Sequence, residues 1–131
     1  FRVIREWDKR DGTGNTSVFR FEAGQHADLL ARFGAGPATA LKQVRNEQEY
    51  VSQHFRERGL LDYWPPEWCV SFKRHCLPPP LWSWLVPARI PVGARIVVFH
   101  GKPNPPDAIQ GIGGKWYRHI RRSAWVAEHW R

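Results

Sequence analysis

The sequence contains no methionine and only two cysteines, Cys69 and Cys76, among its 131 residues. Two cysteines without further partners exclude a cysteine-based zinc site and the disulfide framework of a small secreted domain. They predict two buried or half-buried thiols that stay reduced, and we therefore expect a cytoplasmic protein. Because the chain starts at Phe1 and has no initiator methionine, we expect it to be a portion of a longer chain.

Long apolar runs and several catalytic motifs are also missing. No run approaches the roughly 20 apolar residues of a membrane-spanning helix, and no signal peptide is recognisable. The sequence has no Asp-x-Asp, His-Glu-x-x-His or Cys-x-x-Cys pattern and no Ser-His-Asp order. The glycine-rich segment 111–115 lacks the spacing of a Walker loop and the serine or threonine that follows its lysine. We predict a flexible segment there.

Positive charge is what the sequence has in excess. Its 20 lysines and arginines outnumber its 12 acidic residues, which gives a formal net charge of +8. Half of that excess lies in residues 112–131, where five basic side chains accompany one acidic one. Such a balance predicts an anionic partner, either a phosphate, a nucleic acid or an acidic membrane surface. Four of the eight tryptophans lie beside prolines, where we expect them to wall a pocket or seal a core: Trp64, Trp68, Trp82 and Trp84.

The alternation of predicted strands and helices favours an α/β arrangement, and 131 residues suffice for one domain at most. The predicted strands cover residues 1–7, 17–21, 68–72 and 96–100. The predicted helices cover residues 25–33, 39–58 and 123–130, and the first ends at Gly34. Asn46 and Glu49 are spaced as a capping box, so a separate helix that begins there is the alternative. Residues 77–91 are predicted to be irregular, and residues 101–114 a mobile loop.

The most informative stretch is residues 94–107, where an apolar run ends at His100, Gly101 and Lys102 before a proline-rich loop. We interpret the run as a strand buried on both faces. Ligands of open α/β sheets bind outside the carboxyl ends of the strands. An imidazole can bind Mn²⁺ or Zn²⁺ once a carboxylate is available, and a lysine beside a glycine can receive a diphosphate. The alternative is a structural histidine that is hydrogen-bonded to a neighbouring carbonyl.

Two further groups of polar residues are candidates for binding sugar hydroxyls. Asn15, Thr16 and Ser17 lie at the entry to a predicted strand, although such residues are also typical of an ordinary turn. Glu47 and Gln48 lie at a predicted helix start, where helix capping and complementation of the helix dipole are the alternative role.

Taken in order, these pieces resemble the C-terminal half of a glycosyltransferase catalytic domain of the GT-A fold, in particular the glycogenin-like, retaining family. Residues 14–18 resemble the asparagine–serine segment that enters a strand in that family. Glu47 and Gln48 resemble its acid–glutamine pair, and residues 99–103 resemble its histidine–glycine–lysine–proline motif. Here Gly101 follows the histidine directly, and Pro105 and Pro106 replace the end of the family motif, so a retaining and an inverting mechanism both stay open.

The resemblance implies that His100 is a metal ligand for Mn²⁺ or Mg²⁺, and that Gly101 and Lys102 contact the diphosphate of a nucleotide-sugar donor. It also implies that the sugars are contacted by the residues of the other two pieces, with the catalytic role on the last two: Asn15, Thr16, Ser17, Glu47 and Gln48. For the fold, the resemblance implies that residues 1–131 are a single domain or partial domain, namely the C-terminal portion of a mixed sheet flanked by helices. The nucleotide-binding half of that sheet, with its Asp-x-Asp, is then expected upstream. This portion alone is expected to be incomplete for catalysis.

The expected activity is transfer of a sugar from a nucleotide-sugar donor to a saccharide or lipid-linked acceptor. The segment 115–131 is expected to make a peripheral contact with the inner face of the membrane. Two other classes of function are alternatives: a basic, tryptophan-rich nucleic-acid module and a non-catalytic interaction domain. Because the tryptophans do not alternate with basic residues along the strands, we expect no nucleic-acid partner.

Overall fold

Residues 1–130 are described by a computed structural model, and the chain divides into two units, Phe1–Pro66 (unit 1) and Glu67–Arg131 (unit 2). Each unit combines a small sheet with short helices, so the predicted α/β class is confirmed at that level. No helix within residues 1–130 has the length and apolar character needed to cross a bilayer.

Unit 1 is built on a three-stranded mixed sheet. Its strands are β1 (Arg2–Arg5), β2 (Gly14–Arg20) and β3 (Asp62–Tyr63), in the order β2-β1-β3. Strand β1 is antiparallel to β2 and parallel to β3, and its register with β2 shifts between Val3 and Ile4. Both of these side chains are buried, so the bulge lies in the buried part of the sheet.

Three helices complete unit 1: α1 (Ala27–Ala35), α2 (Pro37–Gln43) and α3 (Glu47–Glu57). The side chain of Asn46 accepts a hydrogen bond of 3.0 Å from the amide of Glu49, which confirms that a separate helix begins there. The first helix does not end at Gly34 as predicted but continues to Ala35, because the chain leaves helical geometry only at Gly36. Helix α3 buries Ser52, His54 and Phe55.

The close packing of β2 on β1 makes Gly14 a sensitive position. A Cβ there would lie 2.5 Å from a methyl carbon of Val3 and 3.1 Å from the Ser52 hydroxyl. We therefore expect Gly14→Ala to lower the free energy of unfolding of unit 1 by about 1–3 kcal/mol, the usual cost of overpacking. Gly34→Ala is the matched control, because a Cβ there meets nothing within 4 Å and alanine favours a helix by up to about 1 kcal/mol. In urea unfolding we expect Gly34→Ala to be the most stable, wild type to be intermediate and Gly14→Ala to be the least stable. The reverse order would contradict the packing.

Unit 2 contains a parallel pair of strands, β4 (Cys69–Ser71) and β5 (Ile96–Val98). A single π-helical turn at Phe72–Cys76 follows β4, and a 3-10 turn covers Pro80–Trp82. The helices are α4 (Pro105–Gln110) and α5 (Ala124–His129). Helix α4 lies where a mobile loop was predicted. Its sequence signal was present, since Asn104 and Asp107 form a capping box and Pro105 lies in the first turn.

The core of unit 2 corrects two expectations about burial. It consists of buried side chains from several elements, namely Val70, Phe72, Cys76, Ala88, Ala108 and Val126. Strand β5 is not buried on both faces, because Ile96 is 41 % exposed and only Val98 is buried. Two of the proline-flanked tryptophans do not seal a core either, since Trp82 and Trp84 are 58 % and 55 % exposed.

The glycine segment 111–115 ends α4, with Gly111 at a φ of 76° in the left-handed region.

Both cysteines are buried and unpaired as disulfides, as predicted. Burial raises the pKa of the Cys76 thiol to about 11, and it also raises the pKa of Cys69. Because the thiolate is the reactive form, we expect iodoacetamide to label neither cysteine appreciably at pH 8 in the folded protein. Both should react rapidly in about 6 M guanidinium chloride, which exceeds the roughly 5 M that marks hyperstable proteins. Equal labelling rates with and without denaturant, read by mass spectrometry, would contradict the burial.

Candidate anion-binding site

The parallel pairing of β4 and β5 brings two polar side chains together at the carboxyl end of the small sheet. Ser71 is the last residue of β4, and its register partner is Val98, two residues before His100. The Ser71 hydroxyl oxygen and His100 Nε2 lie 2.7 Å apart and share a hydrogen bond. The sequence prediction placed His100 at a strand end, and the structure adds the serine that holds its ring.

The π-helical turn after β4 adds a second imidazole. The backbone amide of Ser71 donates a hydrogen bond of 2.9 Å to His75 Nδ1. An accepting Nδ1 carries no proton, so a neutral His75 has its proton on Nε2. Ser71 therefore fixes both histidines, one through its hydroxyl group and the other through its main chain.

Two lysines provide positive charge at these strand ends. Lys73 comes from the turn after β4, and its Nζ lies 3.4 Å from where a Cβ of residue 101 would be. Gly101 has a φ of 61°, in the left-handed region that favours glycine. The positive φ is therefore what calls for glycine at this position, and the ammonium group of Lys73 lies close to the main chain that leads into Lys102, whose side chain is exposed. We name Ser71, Lys73, His75, His100 and Lys102 the strand-end cluster.

The charge of the chain is concentrated in the unit that carries this cluster. Unit 2 holds ten lysines and arginines and three acidic residues, a net +7, whereas unit 1 holds ten and nine, a net +1. No aspartate or glutamate occurs between residues 68 and 106. The segment that carries the strand-end cluster therefore contributes basic side chains and no acidic ones, which favours the binding of an anion.

The Ser71–His100 pair has the residue types of a nucleophile and its base, but its burial argues for another role. Ser71 is 0 % exposed, so its hydroxyl oxygen is not presented to a substrate, whereas the His100 ring is half-buried. A nucleophile must reach the substrate as well as its base. The arrangement is better suited to orienting an imidazole for binding.

In unit 1, two of the residues predicted to bind sugars meet. The Thr16 hydroxyl donates a hydrogen bond of 2.5 Å to Glu47 Oε1, which joins strand β2 to the first turn of α3. Both side chains line an open cavity of about 530 Å³, whose walls are mostly aromatic and aliphatic and include Phe19, Phe21 and Phe55. A few polar groups in an apolar cavity are the usual composition of a small-molecule site.

The other predicted sugar contacts have different environments. Asn15 is buried, its side-chain nitrogen donates to Glu6 at 2.9 Å, and its oxygen accepts from the amide of Ser17 at 3.0 Å. These bonds hold the entry to β2 in the manner of an Asx turn. Ser17 is exposed on β2, and Gln48 is half-buried in the first turn of α3. The structure thus joins Thr16 to Glu47 within unit 1, while His100, Gly101 and Lys102 lie in unit 2.

The residues present do not by themselves compose a metal site. Within residues 1–130, no three histidine, cysteine, aspartate or glutamate side chains converge as a metal-binding group. One ring nitrogen of His100 is already used by Ser71, which leaves at most one for a cation. Mn²⁺ or Mg²⁺ at His100 would need its remaining ligands from elsewhere, so the metal ligand stays a prediction.

Sequence reasoning missed Ser71, Lys73 and His75. A signal existed, because these residues follow a predicted strand just as His100 does, and parallel strands end at the same edge of a sheet. Comparison of the chain with protein-family models, with curated proteins and with solved structures finds no match.

Proposed function

We propose that this chain belongs to a nucleotide-sugar-dependent glycosyltransferase of GT-A-like fold, and that unit 2 binds the diphosphate of the donor. The observation that carries the proposal is the strand-end cluster, in which the Ser71–His100 pair is accompanied by Lys73 and Lys102. Cations and imidazoles at the carboxyl ends of parallel strands suit a phosphate-bearing ligand. The resemblance of residues 99–103 to a glycosyltransferase motif supports the choice of a nucleotide sugar among such ligands.

In this proposal each member of the cluster has a defined task. Lys73 and Lys102 neutralise the charge that develops on the diphosphate as it leaves the sugar. Ser71 orients the His100 ring, and the left-handed turn at Gly101 lets the diphosphate approach the main chain. A divalent cation, when bound, would assist departure of the diphosphate as a Lewis acid.

We also propose that unit 1, taken by itself, binds a saccharide. The Glu47 carboxylate, which already accepts a hydrogen bond from Thr16, can accept further ones from saccharide hydroxyls. The aromatic wall of the adjacent cavity would cover the apolar faces of the sugar rings. Glu47 and Gln48 keep their predicted catalytic role, and Asn15, Thr16 and Ser17 their predicted role in substrate binding, within this proposal.

The nucleic-acid alternative receives less support. Three arginines of the basic C-terminal segment use their guanidinium groups on main-chain carbonyls of unit 2. Arg118 donates to Leu77 and Pro78, Arg121 to Trp84 and Arg122 to Gln110. Phosphate contacts of a nucleic-acid module need such groups to face the ligand.

The test is calorimetric titration of the chain with UDP, GDP and inorganic pyrophosphate. We expect wild type to bind at least one of the nucleotides, and Lys73→Ala/Lys102→Ala to bind it at least tenfold more weakly, since one charged hydrogen bond contributes about 1.5–3 kcal/mol. Lys42→Ala is the matched control, because it removes an exposed lysine of unit 1. Equal affinity of the double variant and wild type, or no binding of any of the three ligands, would refute the proposal.

The same titration tests the predicted metal ligand. Repeating it in Mn²⁺ and in EDTA, for wild type and His100→Ala, separates a contribution of the cation from that of the lysines. If His100 binds the cation, the gain in nucleotide affinity between EDTA and Mn²⁺ should be smaller in the variant. An identical gain in both proteins would show that His100 is no ligand.

A further inference from the structure

The segment Leu81–Leu85 reverses the usual relation between polarity and burial. Its four large apolar side chains are exposed, Leu81 by 88 %, Trp82 by 58 %, Trp84 by 55 % and Leu85 by 70 %. The serine between the two tryptophans is fully buried. Single exposed apolar residues are common, but contiguous exposed apolar patches mark interaction sites.

Hydrogen bonds hold this outward conformation. The buried Ser83 hydroxyl donates to the Pro80 carbonyl at 2.5 Å and accepts from the amide of His119 at 2.9 Å. The Trp84 ring stacks on His119 with centroids 4.6 Å apart, and Arg121 donates to the Trp84 carbonyl at 2.6 Å. The bonds of Ser83 thus fix the main chain of this segment, and the fixed main chain holds the leucine and tryptophan side chains in solvent.

A neighbouring turn presents two more aromatic rings. Lys115 and Arg118 exchange backbone hydrogen bonds of 3.0 and 2.9 Å, which places Trp116 and Tyr117 at the tip of a tight turn. Trp116 is 87 % exposed and Tyr117 44 % exposed. Arg118 also binds the carbonyls of Leu77 and Pro78, just before the first segment. Residues 81–85 and 116–117 therefore belong to one framework, and we name them the tryptophan patch.

The charges beside the patch are of one sign. Lys115, Arg121 and Arg122 are exposed, and no acidic residue occurs between positions 108 and 127 or between 68 and 106. Tryptophan and tyrosine prefer the boundary between lipid headgroups and acyl chains. Lysine and arginine near that boundary are attracted to anionic headgroups, and this combination is typical of surfaces that lie on a membrane.

We propose that the tryptophan patch docks unit 2 on a bilayer that contains anionic phospholipids. The leucine and tryptophan side chains enter the interfacial region, while the positive charge of Lys115, Arg121 and Arg122 attracts the anionic headgroups. Charge complementarity favours this occupant over a second copy of the chain, because two surfaces of the same positive sign repel each other. The inference extends the expected contact of segment 115–131 to residues 81–85, and it does not depend on the proposed glycosyltransferase activity.

Co-flotation with vesicles tests the proposal. We expect wild type to float with vesicles of phosphatidylcholine and phosphatidylglycerol and to remain at the bottom with phosphatidylcholine alone. Leu81→Ser/Leu85→Ser should weaken binding at least tenfold. Leu41→Ser is the matched control, because Leu41 is a leucine of unit 1 with a similar exposure of 66 %, and it should bind like wild type. Raising the salt concentration should weaken the wild-type interaction, since the headgroup attraction is screened.

A second measurement needs no variant. Brominated phosphatidylcholine, mixed with phosphatidylglycerol, should quench the tryptophan fluorescence of the wild-type chain when vesicles are added. No quenching and no flotation would overturn the proposal, as would equal flotation of wild type and Leu81→Ser/Leu85→Ser. A third outcome would assign the patch to a dimer interface: neither protein floats, and on size exclusion wild type is a dimer whereas the double variant is a monomer. The proposal fails in that case too, because the patch would then join two copies of the chain.

Discussion

Replacing Phe72 with alanine is expected to unfold unit 2. Phe72 is 0 % exposed, and its ring stacks on Phe99 with centroids 4.5 Å apart and contacts Trp125 at 5.9 Å. Removal of a buried phenylalanine ring costs about 3–5 kcal/mol. Whole domains are stable by only about 5–15 kcal/mol, and a unit of 65 residues is at the small end of that scale.

The measurement that checks this is amide hydrogen exchange, because it reports each unit separately. Protection should be lost throughout unit 2 of Phe72→Ala and retained in unit 1. Nucleotide binding should disappear with it, since Phe72 directly follows Ser71 in the strand-end cluster. Phe21→Ala is the control, because that ring is 55 % exposed, and exposed substitutions usually change stability by less than about 0.5 kcal/mol. Wild-type protection in both variants would contradict the assignment of Phe72 to the core.

Acidification from pH 7 to pH 5 is expected to destabilise unit 1 through His54. This ring is buried, its Nε2 lies 3.1 Å from Asp28 Oδ2, and among residues 1–130 its buried Nδ1 has no hydrogen-bond partner. Burial, followed by the nearby Arg58 guanidinium, lowers the pKa of His54 below its usual value of 6.5, although Asp28 acts in the opposite direction. The unfolded chain therefore takes up a proton at a pH where folded His54 resists it.

The sign follows from proton uptake. Below about pH 6.5 the unfolded state binds more protons than the folded state, so the free energy of unfolding decreases as the pH is lowered. For one group the decrease is at most about 1.4 kcal/mol per pH unit. The fold lowers the pKa of four carboxyl groups, whose contribution is lost only in more acidic solution: Asp11, Glu49, Glu57 and Asp62. The interval from pH 7 to 5 thus separates the effect of His54 from most of the effect of these carboxyl groups.

Exchange-detected stability of unit 1 at pH 7, 6 and 5 checks this expectation. His54→Gln should remove most of the slope, whereas His129→Gln, at an exposed position of unit 2, should leave it unchanged. An NMR titration of the wild-type His54 ring gives a readout that does not depend on whether the variant folds. A His54 pKa at or above the value of an unfolded histidine would disprove the assigned cause.

Local sequence signals predicted the elements that depend on neighbouring residues. The start of α3 was predictable because Asn46 and Glu49 form the cap within one turn. The apolar run predicted β5 from its correct start at Ile96, but the strand ends at Val98, two residues before His100. Helix α4 was missed because three prolines at positions 103, 105 and 106 indicate a loop more strongly than Asn104 and Asp107 indicate a cap.

The contacts of the candidate site could not be predicted from the sequence, because they join residues that are far apart along the chain. The partner of His100 is Ser71, 29 residues earlier, and only the pairing of β4 with β5 makes them neighbours. The same reason applies to Thr16 and Glu47, which are 31 residues apart; both were predicted to bind sugar, but their contact was not. The exposure of Trp82 and Trp84 could not be predicted either, because it depends on how Ser83 is bound by His119.

The uneven distribution of charge links the folding of unit 2 to its solution environment. The ten cations of this 65-residue unit repel one another when it is compact, and its three acidic residues offset only part of that repulsion. The remaining repulsion opposes folding. Any multivalent anion that binds the folded unit removes part of it and adds the free energy of binding to the stability. Phosphate and sulfate should therefore act on unit 2 as folding cofactors, whereas unit 1, with almost balanced charge, should respond little.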